Sequence, residues 1–218
     1  MEKKKKDEKK QERLLNEYLK RLKTDKPTYY VKDTAEGSEE SIEILFVLES
    51  PHKEEVASRK PLMGRAGEYV SDFLDCENRP FGENQKLFKS NQIGIFNVSN
   101  IPLQVIDCNK KEAEDIKDEL KQLRESDTVN ATLFSFFSEK IKKYTNVRTY
   151  VLCGAFAAKY FDKYILEKDN DNILKKQYKG EIEILKVPHP SYGHWQFIDK
   201  HKENLERLKE IFSKFKEK

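Results

Sequence analysis

The chain holds only three cysteines, Cys76, Cys108 and Cys153, and they stand far apart. That spacing excludes a CxxC metal knuckle and a paired disulfide framework, and it points to a reducing, intracellular compartment. No apolar run reaches the length that spans a bilayer, and the opening MEKKKKDEKK lacks the apolar stretch of a secretory signal. The expectation is a cytoplasmic protein with no membrane partner. Glycine is sparse, eight residues in 218, and neither a P-loop nor a GxGxxG dinucleotide loop is present. An excess of one charge is lacking too. Against 42 basic residues stand 39 acidic ones, so a net charge of +3 does not by itself argue for nucleic-acid binding.

What is present suffices for one core: 218 residues, 37% of them hydrophobic and rich in Phe, Tyr, Ile and Leu. Residues 1–32 read as a Lys-rich extension in which Leu14, Leu15, Tyr18, Leu19 and Leu22 form an amphipathic helical stripe. Its lysines have the charge to touch phosphates, but a solvated face is the plainer reading. Residues 33–41, DTAEGSEES, read as a polar linker, and 42–218 as an α/β domain. Strand-length apolar runs fall at 42–48, 92–98, 147–153 and 181–187. Helices are predicted near 65–75, 110–125, 130–144, 154–167 and 195–215. That alternation implies a four-stranded, mainly parallel sheet covered on both faces, a three-layer α/β/α domain. A monomer is expected.

In open α/β sheets ligands bind beyond the carboxyl ends of the strands. Here the first strand runs into Glu49-Ser50-Pro51-His52, the second ends at Asn97 and Asn100, the third meets Gly154, and the fourth opens into Pro188-His189-Pro190-Ser191. Singly each has a bland explanation: a solvated Glu49, a turn-capping Asn97, a satisfied core His189. Their common address at strand ends argues for one cleft bearing a carboxylate, amides and imidazoles.

The stretch LESPHKEEVASRKPLMGRAGEYV, with IFNVSNIP, VLCGAFAAKYF and VPHPSYGHW following in order, resembles the motifs of the uracil-DNA glycosylase superfamily, nearest its thermophile-type, family 4-like branch. The resemblance covers Ile42 to Trp195 and implies an enzyme that flips a base from DNA and hydrolyses its bond to the sugar. It implies that Glu49 sits at the water site with Glu55 as the downstream acidic residue, and that Glu49 or Glu55 positions the attacking water. Asn97 then reads the flipped base, and His189 hydrogen-bonds it as it leaves. Such chemistry needs both ends, because bond cleavage leaves positive charge on the sugar and negative charge on the base. Gly64, Arg65, Ala66 and Gly67 match the segment that approaches DNA, as do Ser191, Tyr192, Gly193 and His194. Tyr192 is the first choice of wedge into the stack, with His194 and Trp195 as further candidates. For Trp195 core packing is an equal reading.

The sequence departs from the family pattern in three places. It lacks the four cysteines of the branch's iron-sulfur cluster, so no cluster, metal or other cofactor is expected. Leu62 and Met63 stand where the branch stacks a Phe on the base. Ser50 replaces a catalytic aspartate of some branches, and His52 follows the Pro where Gly or Tyr controls which base fits. The base read by Ser50, His52, Leu62, Met63 and Asn97 is therefore uracil or another modified pyrimidine, including those of phage DNA. Two other readings remain open at this stage: an inactive DNA-binding module on the same scaffold, and a nucleoside- or nucleotide-binding protein.

Overall fold

The computed structural model describes residues 31–34, 39–76, 78–84, 88, 92–103, 127–166, 181–192, 195 and 199–216. The stripe through Leu22 and the helix predicted over 110–125 lie outside these residues. Each predicted strand forms, trimmed by two residues or fewer at its ends: β1 (Ile44–Leu48), β2 (Ile93–Asn97), β3 (Thr149–Cys153) and β4 (Glu183–Val187). All pairings are parallel, in the order β2-β1-β3-β4.

Strand side chains alternate between faces, and both faces of β1 are apolar, so the sheet is buried on two sides. Leu45 and Val47 point into a core with Phe96, Leu133, Phe137, Tyr150 and Phe161. Ile44, Phe46 and Leu48 point the other way, to Val70, Phe81, Val187, Leu208 and Phe212. Helices α1 (Lys53–Ser58), α2 (Gly64–Phe73), α3 (Asp127–Ile141), α4 (Ala155–Phe161) and α5 (Lys202–Lys216) flank the sheet. The domain is thus the three-layer α/β/α fold expected.

Three differences from the sequence reading have local causes. Helix α1 was not predicted, because its N-cap is His52 rather than a Ser, Thr, Asp or Asn. Its other half of a capping box is present, since Glu55 accepts the His52 backbone N–H at 2.6 Å. The predicted 154–167 helix widens into a π-helical turn over Asp162–Leu166. The last helix begins at Lys202 rather than Trp195, because His201 takes a left-handed backbone at φ +71°.

Trp195 belongs to the core and is not a wedge. It is 1% exposed, meets Phe73 edge to face at 5.4 Å, and its indole Nε1–H donates to the Pro188 carbonyl at 3.1 Å. Packing and a satisfied N–H remove any reason for the ring to face DNA. Trp195→Ala should therefore lower unfolding free energy by about 3–5 kcal/mol, read as a fall in the urea midpoint at unchanged slope. A loss under about 1 kcal/mol would contradict this placement.

Candidate active site

Parallel register brings the four strand ends to one edge. Leu48 pairs with Asn97, Val47 with Leu152, and Cys153 with Val187, so Glu49, Asn97, Gly154 and His189 emerge side by side. They line a single cleft of about 690 Å³, together with Ser50, His52, Glu55, Leu62, Met63, Arg65, Ala66 and Ser191. That volume lies within the roughly 300–1,000 Å³ span of small-ligand sites. Glu54, Ala155 and Phe156 line it as well, although the sequence reading did not single them out. Phe156 could have been suspected from its place just after Gly154, in the first turn after a strand end.

Asn97 is 1% exposed, and neither its side-chain oxygen nor its nitrogen has a hydrogen-bond partner among the described residues. An orphaned buried amide costs about 1–3 kcal/mol, which is tolerable where a ligand completes it. His189 has a defined tautomer. Its Nδ1 accepts the Ser191 backbone N–H at 3.2 Å and lies 2.7 Å from the Ser191 hydroxyl, so the neutral ring carries its hydrogen on Nε2. Burial lowers its pKa, and the neighbouring His52 imidazole lowers it further, so the ring is neutral at neutral pH.

Gly154 is what lets His189 sit there. At φ +92°, a Cβ on Gly154 would lie 2.9 Å from the His189 Cβ. Asn100, by contrast, is not in the cleft. Its Nδ2 donates to the Val31 carbonyl at 2.7 Å and to Asp33 Oδ1 at 2.9 Å. Asp33 heads the stretch read as a polar linker, yet its side chain is 12% exposed and bridges to Lys140 at 2.9 Å. The paired ammonium is what makes that burial possible.

Glu55 is 7% exposed, and both its oxygens are engaged by backbone: Oε2 by the His52 N–H at 2.6 Å, Oε1 by the Leu62 N–H at 2.5 Å. The carboxyl thereby ties both ends of the 52–62 loop together. Leu62 turns left-handed at φ +52°, and its side chain is buried in the core. Gly67 is buried against it, since a Cβ there would lie 1.8 Å from the Leu62 carbonyl oxygen. Gly67, expected at the DNA-approaching segment, is thus buried in packing against the Leu62 backbone. Gly64 starts the same helix at φ +69°. Arg65 and His52 are exposed at the cleft, and His52 Nδ1 lies 3.2 Å from Glu54 Oε2. Ser50 Oγ accepts the Leu103 N–H at 3.2 Å, fixing the turn beyond β1. Ser191 is exposed, and Tyr192 closes the turn Pro190–Tyr192. Gly193 and His194 lie outside the described residues.

Burial pushes the Glu55 carboxyl up from 4.5 to about 7 against the pull of its two backbone bonds. A folded-state value above the unfolded one favours the protonated form in the fold. The stability it contributes is complete below about pH 4.5 and is lost as pH rises through about 7. The stability difference between wild type and Glu55→Gln should therefore shrink by on the order of 2–3 kcal/mol across that window, measured by urea unfolding at a series of pH values. A difference that is flat with pH would show the carboxyl to be ionised throughout.

The family comparison agrees with this geometry. A model of the uracil DNA glycosylase superfamily matches residues 35–216. A comparison with curated proteins finds no match. With most of its length matched and the four motif loops meeting in one cleft, the chain belongs to the uracil DNA glycosylase superfamily.

Proposed function

We propose that the chain is a monofunctional DNA glycosylase that receives an extruded base in this cleft and hydrolyses its N-glycosidic bond, leaving an abasic site. The observation that carries the reading is Asn97, a buried amide with no partner among the described residues, set beside a neutral imidazole and a carboxylate. An amide presents a donor and an acceptor together, the pattern needed to read a base edge. The Nε2–H of His189 donates to the base oxygen on which negative charge grows, and it costs no reorganisation at that moment. Glu49 holds the water and faces the positive charge developing on the sugar. Glu55, with both oxygens on backbone N–H groups, acts by holding the loop rather than by touching water.

Stacking falls to Phe156. The Leu62 side chain is drawn into the core, whereas the Phe156 ring lines the cleft and is itself stacked on Tyr160 at 5.2 Å and 22°. His52, Ser50 and Met63 complete the wall that selects the base. Exposed Lys53, Arg59, Lys60 and Arg65 fall in one short stretch of sequence, with Arg65 lining the cleft, and supply phosphate contacts.

The test uses duplex and single-stranded oligonucleotides carrying uracil, hypoxanthine or modified cytosines, followed by alkali to cut at abasic sites. Asn97→Ala, His189→Ala and Gly154→Ala should each reduce excision by about a hundredfold or more while the fold persists. Phe156→Ala should lose about tenfold, chiefly in the base-binding step. Excision that survives both Asn97→Ala and His189→Ala would remove the proposed site. DNA binding without excision on any substrate would favour an inactive binding module. Binding of nucleosides with no salt-dependent DNA binding would favour the nucleoside reading.

A further inference from the structure

β2 lies at the edge of the sheet, with only β1 beside it among the described strands. The other side of its backbone meets no strand among the described residues, a position proteins usually cover. Residues 31–34 cover it here. The Thr34 N–H donates to the Ile95 carbonyl and the Val31 N–H to the Asn100 carbonyl, both at 2.9 Å. Between these bonds, at Asn97, the partners are side chains. Asp33 Oδ1 accepts the Asn97 backbone N–H at 3.4 Å, and Lys140 Nζ donates to the Asn97 carbonyl at 2.7 Å.

The carboxylate and the ammonium, paired with each other at 2.9 Å, stand where the carbonyl and N–H of a further strand would stand. Lys140 Nζ also donates to Asn100 Oδ1 at 2.9 Å, so its three hydrogens have three acceptors: Asp33, Asn97 and Asn100. It lies 4.5 Å from the centre of the Phe96 ring. With the edge groups taken, the Asn97 side chain has nothing there to fold back upon.

We propose that the Asp33–Lys140 ion pair is a positioning device for Asn97, fixing the peptide groups on both sides of that residue so that its amide stays aimed into the cleft. The inference rests on the reading of Asn97 as the base-binding amide. Asp33 stands just before the residues that the family model matches, and Lys140 lies within them. A displacement of about 1 Å in such a group costs on the order of a hundredfold in rate, so a strut acting on the backbone is enough to matter.

The experiment uses the full chain. Removing one buried charge strands the other and can unfold the protein, so the main variant is the double Asp33→Leu/Lys140→Met, which removes both. Single-turnover excision and DNA affinity are measured on the same oligonucleotide. The Asn97 side-chain amide is followed in a ¹H–¹⁵N spectrum, identified by its loss in Asn97→Ala. The double variant should melt cooperatively, excise about tenfold or more slowly, and bind DNA within about twofold of wild type. Its Asn97 amide pair should shift and broaden, and Lys140→Arg with Asp33 kept should retain most of the wild-type rate. Wild-type excision together with an unchanged amide pair in the folded double variant would overturn the proposal. So would a rate loss matched by an equal loss of DNA affinity, which marks general loosening. If the wild type excises no base, the glycosylase reading falls, and the amide pair alone decides the strut: a shift sustains it, no shift sinks it.

Discussion

The parallel register of four five-residue strands is the constraint on which the rest depends. Parallel strands end at the same edge, so whatever follows each strand is delivered to a common place regardless of its separation in the chain. A slip of one residue would turn every side chain to the opposite face. Because both faces of β1 are apolar and packed against helices, such a slip would not expose a polar face, yet it would misplace Asn97, the last residue of β2, relative to Leu48. The core therefore fixes the site through jigsaw fit rather than through polarity.

Stability and function pull apart at the carboxyl edge. Asn97 buries an amide with no partner among the described residues, Leu62 holds left-handed backbone, and Glu55 buries a carboxyl. Each is unfavourable alone. The last two are offset nearby, since Glu55 binds the N–H of Leu62 and Gly67 leaves room for the Leu62 carbonyl; at Asn97 only the backbone is satisfied, by Lys140 and Asp33, and the side-chain amide stays open to the cleft. The aromatic cluster of Phe96, Phe137, Tyr144, Tyr160 and Phe161 supplies the rigid floor against which these adjustments are held.

The cleft's two kinds of residue differ in how directly they reach a substrate. His189 and Asn97 present side-chain groups held by their neighbours: the Ser191 N–H on His189 Nδ1 for one, the edge ion pair on the Asn97 backbone for the other. Such supporting groups hold a reacting set within the fraction of an ångström that catalysis requires.

Much of this was legible in the sequence because it is periodic or local. Alternating apolar runs identify strands and faces, since the strand repeat of two residues is a property of the backbone itself. Strand ends rich in Glu, Asn and His-Pro-Ser mark where chemistry gathers, and the four motifs in order indicate the family. Other features depend on contacts between distant residues, which no local pattern encodes. Trp195 is a core residue because Phe73 and the Pro188 carbonyl are there to receive it. Glu55 is a clamp because Leu62, seven residues on, turns its N–H back. Asp33 leaves the polar stretch for the interior because Lys140, 107 positions away, meets it at the sheet edge. The sequence by itself determined which segments are strands and what chemistry follows them. Only the tertiary structure decided which of those polar groups line the cleft and which hold the others still, because that choice is made by packing and by hydrogen-bond partners brought together from distant parts of the chain.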